Sequence, residues 1–263
     1  MNARRIGIMG AMSEEIGDVL SLLSGYEEKT MGMRTYYFGK INDIEVVVVF
    51  SRWGKVAAAT TVSALIHQFG ITELIFTGVA GAIEPELKIG DIVLGKRFIQ
   101  HDLDARPLMK QYEIPLLGKI FLESDDIQLN IASRAIHKII DDKTLLQLFA
   151  PGLLEKFNTT EPGLSIGDIA SGDVFFSTDR QRNLLHSQLP SILCVEMEGA
   201  AVAQVCLEYQ IPFTIIRTIS DTADDKSHID FPLFIKDISS KYSTQIIQNI
   251  FLELKVESNM STQ

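Results

Sequence analysis

Mostly apolar, β-branched runs recur along the chain, with helical spacings between many of them. The runs are Ile6–Met9, Glu45–Phe50, Leu74–Thr77, Asp91–Leu94, Ile192–Glu196 and Phe213–Ile219. Short continuous apolar runs of this kind predict strands buried on both faces. Between them, Val62, Leu65, Ile66 and Phe69 fall at i, i+3, i+4 and i+7, one face of a helix. Near the end, Ile235, Ile238, Tyr242, Ile246 and Ile250 form a stripe at steps of three and four. Asp230 and Pro232 are placed as the cap and first-turn residue of that last helix. Strands alternating with helices predict an α/β fold whose parallel or mixed sheet is covered on both faces. No Pro/Gly/Ser-rich linker and no repeat interrupts the pattern, so one domain over 1–256 is the simplest account. The stretch Asp141 to Gly163 is loosely patterned and reads as a helical insertion or a mobile loop. The polar tail 257–263 is expected to be frayed and disordered.

Composition narrows the function. With 263 residues and a net charge of −10, the chain can build a sizeable core and is poorly suited to nonspecific binding of nucleic acid or anionic membranes. No apolar run approaches the ~20 residues a membrane helix needs. The basic pair Arg4-Arg5 precedes an apolar stretch, the outline of a secretory leader. That stretch, Ile6 to Met12, holds two glycines and runs straight into Ser13-Glu14-Glu15, so it reads as a strand and loop. A cytoplasmic protein is expected. Cys194 and Cys206 have mainly apolar neighbours and read as buried inert thiols. The five histidines lack metal-ligand spacing. No metal and no cofactor are expected.

In open α/β sheets, ligands bind beyond the carboxyl ends of the strands. Four clusters occupy such ends: Gly10 to Glu15, Thr77 to Ala82, Val195 to Gly199 and Arg217 to Asp221. Each has a bland reading. Ser13 could cap the next helix, with Glu14 and Glu15 at its positive end; alternatively, one glutamate turns back over the strand ends as a base. Gly78-Val79-Ala80-Gly81 could be a plain turn, or a place where backbone approaches a ligand. Glu196 and Glu198 are harder to dismiss, because carboxylates ending an apolar run are costly unless paired, hydrogen-bonded or ligand-bound. Arg217 and Asp221 could be a structural ion pair.

Taken together, these pieces resemble the bacterial 5′-methylthioadenosine/S-adenosylhomocysteine nucleosidases of the nucleoside phosphorylase superfamily. The matching segments are IGIMGAMSEE (6–15), SRWGKVAAA (51–59), FTGVAGAI (76–83), LKIGDIV (87–93), QHDLD (100–104), ASGDVF (170–175), VEMEGAAVAQVC (195–206) and IIRTISDTAD (215–224). They stand in family order and reach from the first strand nearly to the last helix. The resemblance implies a three-layer α/β/α sandwich around a central mixed sheet, a homodimer, and hydrolysis of the N-glycosidic bond of a 5′-thio-substituted adenosine. It assigns Glu15 to activation of water, Glu198 to the ribose hydroxyls with Met197 beside it, and Asp221, next to Ser220, to the purine N7. It places Arg217 near the water and Glu15, Phe175 against adenine, and backbone groups at Phe176 on the base edge. Met12, Trp53 and Phe231 fall in the sugar and 5′-substituent pocket. Ala105, Leu108 and Pro115 match the part supplied by the second subunit.

Three departures accompany the match. Many relatives have serine at Val79, a polar contact to water that valine lacks. A small aliphatic residue is common where Trp53 stands, and an indole there would narrow or reshape the 5′ pocket. The segment Arg106 to Glu123 also differs from the better-known members.

The chemistry accounts for the residue types. Cleaving C1′–N9 builds positive charge on the ribose and negative charge on the purine, an oxocarbenium-like transition state. A donor at N7, an anion by the sugar and a base for water each help. A free Asp has a pKa of about 3.9, so Asp221 needs burial or a neighbouring carboxylate to act as an acid. Alternatively, it accepts from the adenine amino group while sharing the N7 proton. The Ser13-Glu14-Glu15 loop would repel a phosphate dianion, which favours water as nucleophile. The competing readings are a phosphate-dependent nucleoside phosphorylase, a 6-amino-6-deoxyfutalosine hydrolase, and a nonenzymatic nucleoside-binding protein.

Overall fold

The computed structural model describes residues 4–149, 153, 157 and 161–260. The chain runs β1 (Arg5–Gly10), α1 (Ser13–Ile16), a 3-10 turn (Asp18–Leu22), β2 (Tyr26–Met31), β3 (Arg34–Ile41), β4 (Ile44–Phe50) and α2 (Lys55–Phe69). It continues with β5 (Glu73–Ala82), β6 (Ile92–Gln100), β7 (Leu122–Glu123), α3 (Asp126–Asp141), α4 (Thr144–Gln147), β8 (Leu164–Ser171) and α5 (Asp179–Gln188). The last part is β9 (Ile192–Glu196), α6 (Gly199–Glu208), β10 (Phe213–Asp221), α7 (Ser227–Phe234), a π-helical stretch (Ile235–Ser239) and α8 (Ser240–Met260).

One mixed sheet runs through the molecule in the order β10-β6-β8-β9-β5-β1-β4-β3-β2. Because β10 also pairs with β5, the five strands β5, β10, β6, β8 and β9 close on themselves. The other strands extend from β5 as an open wing, and β7 pairs with β6. β1 is parallel to both β4 and β5, with Met9 opposite Val49 and Phe76. β10 is parallel to β5, with Arg217 opposite Gly78. These registers align the carboxyl ends of β1, β5 and β10.

The expected sandwich of helices over both sheet faces is present. In β4, Val46 and Val48 face one apolar layer, while Val47 and Val49 face the other. The first layer includes Ile131, Ala135, Ile136 and Ile139 of α3 with Ile246 and Ile250 of α8. The second includes Val62 and Leu65 of α2 with Val202 and Cys206 of α6. Alternation with both faces buried is why these strands read as unbroken apolar runs. Each fully buried Val or Ile contributes ~1.5–3 kcal/mol relative to exposure. All five stripe residues Ile235, Ile238, Tyr242, Ile246 and Ile250 are buried. Cys194 and Cys206 are buried free thiols, and burial pushes both above their ordinary range.

Some expectations change. Asp230 does not cap the last helix. A separate helix, α7, begins at Ser227 and carries Pro232 in its interior. Proline lacks the amide that would continue the helical ladder, and a wider π-type stretch follows before α8. α8 runs to Met260, into the polar tail 257–263. Arg134 of α3 reaches across to Glu253 and Glu257 and ties that last turn down. Residues 261–263 lie outside the described residues. Within the stretch Asp141 to Gly163, Thr144–Gln147 is helical, and positions 150–152, 154–156 and 158–160 lie outside the described residues. β2, β3, β7 and β8 carry no clear apolar run. β2 is an exposed edge, and β8 includes a buried polar residue, Asp168, held by Arg97 and Ser191.

Candidate active site

The four strand-end clusters meet at one cavity of about 450 Å³. Met12, Glu15, Trp53, Val79, Phe175, Met197, Glu198, Ser220, Asp221 and Phe231 all line it.

Glu15 sits in α1 immediately after β1, and its carboxylate turns back over the strand ends. Oε2 accepts from the amides of Ala11 at 2.5 Å and Met12 at 2.9 Å. Oε1 accepts from the Val79 amide at 3.1 Å. Ser13 does not cap the helix; its hydroxyl donates to Glu14 instead. Burial raises the Glu15 carboxyl above its usual range, against the opposing charge of Arg217 and the three amide donors. Gly78 lets the acid come this close: a Cβ there would stand 2.7 Å from Glu15 Oε1 and 3.3 Å from Arg217 Nη1.

Glu198 follows β9 and occupies the cap position of α6. Its Oε1 accepts from the Gly54 amide at 2.8 Å. Burial, reinforced by the Glu196 carboxylate, pushes its pKa up to about 8. Asp221 ends β10. Its carboxylate accepts from the Ser220 hydroxyl at 2.8 Å and the Ala223 amide at 2.9 Å. Burial raises this group too, against the donors at Ser227, Ala223 and Ser220. The neutral acid that donation to a ligand requires is thereby favoured.

Arg217 lies behind the cavity wall, 1% exposed, with its guanidinium 4.0 Å from the Phe76 ring centroid. Its Nη2 donates to Glu196 at 2.7 Å. Its ion-pair partner is therefore Glu196, not Asp221. Phe176 is buried against His101 and is not part of the wall. Ala105, Leu108 and Pro115 lie outside this chain's cavity.

Aromatic side chains form one side of the cavity. Phe231 meets Trp53 edge-on at 6.5 Å and Phe175 edge-on at 5.4 Å between centroids. Trp53 is 60% exposed.

Glu196, His228 and Pro232, none of them among the sequence-predicted site residues, also line the cavity. Glu196 was visible as the first of two acids closing an apolar run. His228 stands one turn before Phe231 on α7, a spacing that puts both on one face. Among the described residues, no group of three His, Cys, Asp or Glu is arranged to hold a metal.

The lining carries four carboxylates and, among the described residues, no lysine or arginine. Such a cavity can take a flat ring against its aromatic side and hydroxyls against its acids. It can hold or move protons, and among the described residues it offers no lysine or arginine to hold a phosphate dianion.

A family model described as the phosphorylase superfamily matches residues 5–251. An aminodeoxyfutalosine nucleosidase of Campylobacter jejuni is 34% identical over 243 residues, 92% of this chain and 96% of that protein. A 5′-methylthioadenosine/S-adenosylhomocysteine nucleosidase of Staphylococcus haemolyticus is 32% identical over 246 residues, 93% and 98% of the two chains. A Neisseria meningitidis nucleosidase of that name, solved with methylthio-immucillin-A, has a TM-score of 0.82 at 28% identity, covering 94% and 98%. The chain belongs to the phosphorylase superfamily, in the group that holds the methylthioadenosine/S-adenosylhomocysteine and aminodeoxyfutalosine nucleosidases.

Proposed function

We propose that this protein uses water to cleave the N-glycosidic bond of 5′-methylthioadenosine and related 5′-substituted adenosines, releasing adenine and the 5′-substituted ribose. The observation that carries this reading is the meeting of Glu15, Glu198 and Asp221 at one cavity whose lining has no lysine or arginine among the described residues. Glu15 orients water and takes its proton, which suits a carboxyl raised by burial. Glu198 grips the ribose hydroxyls and opposes the positive charge that grows on the sugar. Asp221 supplies a proton to N7 of the departing purine. Met197 packs by the sugar and Phe175 lies against the base. Met12, Trp53 and Phe231 receive the 5′ substituent, and Val79 and Ser220 complete the walls.

The test is adenine release in phosphate-free buffer. Absolute dependence on phosphate, with ribose 1-phosphate as product, would overturn hydrolysis in favour of phosphorolysis. Tight nucleoside binding without turnover would make the protein a binder.

6-Amino-6-deoxyfutalosine is a second candidate substrate. Relatives named aminodeoxyfutalosine nucleosidase reach 34% identity, and Trp53 gives the 5′ end of this cavity an aromatic wall. The ratio of kcat/KM values on the two nucleosides decides the ranking.

The reading also includes a homodimer in which Ala105, Leu108 and Pro115 of one protomer complete the 5′ pocket of the other. Leu108 is 89% exposed and Leu116 fully exposed on that segment, apolar surface that suits a subunit interface. A cytoplasmic location accords with the two free thiols. Among the described residues, no helix is long and apolar enough to cross a membrane.

A further inference from the structure

Four donors converge on the Glu196 carboxylate. It closes β9 and is 7% exposed. Its oxygens accept from Arg217 Nη2 at 2.7 Å, from the Gly199 amide at 2.7 and 2.9 Å, and from the Glu198 amide at 3.1 Å. The Ser171 hydroxyl donates to it as well. In turn, the Ser171 oxygen accepts from the Ala200 amide at 2.7 Å. The first turn of α6 is thus fastened to one carboxylate, directly at 198 and 199 and through Ser171 at 200. Acceptors are favoured at a helix N-terminus, where the amides have no partners within the helix.

The same carboxylate engages the buried cation whose charge also acts on Glu15 and Glu198. Arg217 stands beside Glu15 across Gly78, yet its ion pair is with Glu196. A guanidinium drawn to Glu15 or Glu198 would occupy the lone pairs that water and ribose hydroxyls need.

We propose that Glu196 is a positioning residue: by holding the amides of Glu198 and Gly199 and engaging Arg217, it aims the Glu198 carboxylate into the cavity and leaves it free for the sugar. This rests on the hydrolase reading above. Removing the Glu196 charge takes a negative neighbour away from Glu198 and releases Arg217 toward both Glu198 and Glu15. Both changes favour the ionised forms. The other titratable groups around the pair are the Cys194 thiol and the His101 ring near Glu196, and Asp221 and His228 across the cavity. None of them carries a fixed positive charge that could replace the guanidinium.

The test uses the full chain with Glu196→Gln and Glu196→Asp. In Glu196→Gln, the acid limb of the kcat/KM profile is expected to move down by ~0.5–1 pH unit. The carbon-13 titration of Glu198 is expected to move the same way, whether or not substrate turns over. In Glu196→Asp the charge stays and the anchor shortens, so the acid limb stays in place. The loss on removing the substrate's 2′-hydroxyl should then shrink by at least ~5-fold in Glu196→Asp, because a displaced Glu198 no longer grips it. Purely structural support would lower stability and kcat without changing either the acid limb or the 2′-deoxy penalty; that result overturns the proposal. If Glu196→Gln does not fold, the 2′-deoxy penalty in Glu196→Asp decides. If the wild type releases no adenine, the hydrolase reading fails by itself, and the Glu198 titration decides this proposal.

Discussion

The Gly54 amide and the Glu198 carboxylate, 144 positions apart in the chain, meet in a hydrogen bond of 2.8 Å. Gly54 has a φ of 92°, a conformation that favours glycine. The neighbouring Lys55 amide donates to Asp173 at 2.8 Å. Two anchors thus fix the turn that presents Trp53 beside Phe231.

That placement makes Trp53 the residue to change for substrate choice. Trp53→Ile is expected to raise kcat/KM on S-adenosylhomocysteine relative to 5′-methylthioadenosine by at least ~5-fold, since pocket shape is worth ~1–3 kcal/mol per small group. Steady-state kinetics on both nucleosides check this. An unchanged ratio would mean that the indole does not reach the 5′ substituent.

Glu15→Gln keeps an acceptor for the Ala11 and Met12 amides and gives up only the bond from the Val79 amide, which would face the new NH2 group. It removes the proposed base. Turnover is expected to fall by ~10²–10⁴-fold, with the Kd of a non-cleavable nucleoside analogue changed by less than ~3-fold. Single-turnover kinetics and calorimetry separate the two. Near-wild-type turnover would assign the base elsewhere.

Much of this was legible because local rules and the global fold agree. The valine run in β4 had to be a strand buried on both sides, and it is. The strand-end acids marked a site because uncompensated carboxylates are expensive there, and the cavity lies at those ends. What was illegible depends on tertiary pairing. Closure of five strands into a ring follows from β10 bonding both β5 and β6, which no local pattern announces. β8 was hidden because Asp168 looks unfit for a core until Arg97 and Ser191 are seen around it. The partner of Arg217 could not be read either: the sequence offered Asp221 four residues on, whereas the fold brings Glu196 to within 2.7 Å of the guanidinium.

Asp221→Asn replaces a carboxyl that can donate a proton by an amide that cannot protonate the purine. A loss of ~10²–10⁴-fold in kcat is expected for substrates with a poor leaving base. With a nucleoside whose leaving group needs no protonation, such as a nitrophenyl riboside, the variant should lose less than ~5-fold if it accepts the substrate. Comparing the two losses isolates the acid role; equal losses would count against it.

The same burial that tunes these acids sets a cost in stability that depends on pH. Glu15, Glu198 and Asp221 all have folded-state pKa values raised above their ordinary ones, Glu198 to about 8. In the unfolded chain they lose their protons near pH ~4 to ~4.5. Between that point and the folded value, the native state binds more protons than the unfolded state, so stability falls as pH rises. For Glu198 the contribution is fully present below about pH 4.5 and is lost as pH climbs toward about 8. Glu198→Gln removes this titration while its amide oxygen can still accept from Gly54. The variant should therefore gain at least ~2 °C in Tm over the wild type at about pH 8, with a smaller difference at about pH 5, and lose activity at both. Melting curves of the two proteins across that range check the sign. A difference in Tm that stays constant throughout would mean that Glu198 is not held protonated by the fold.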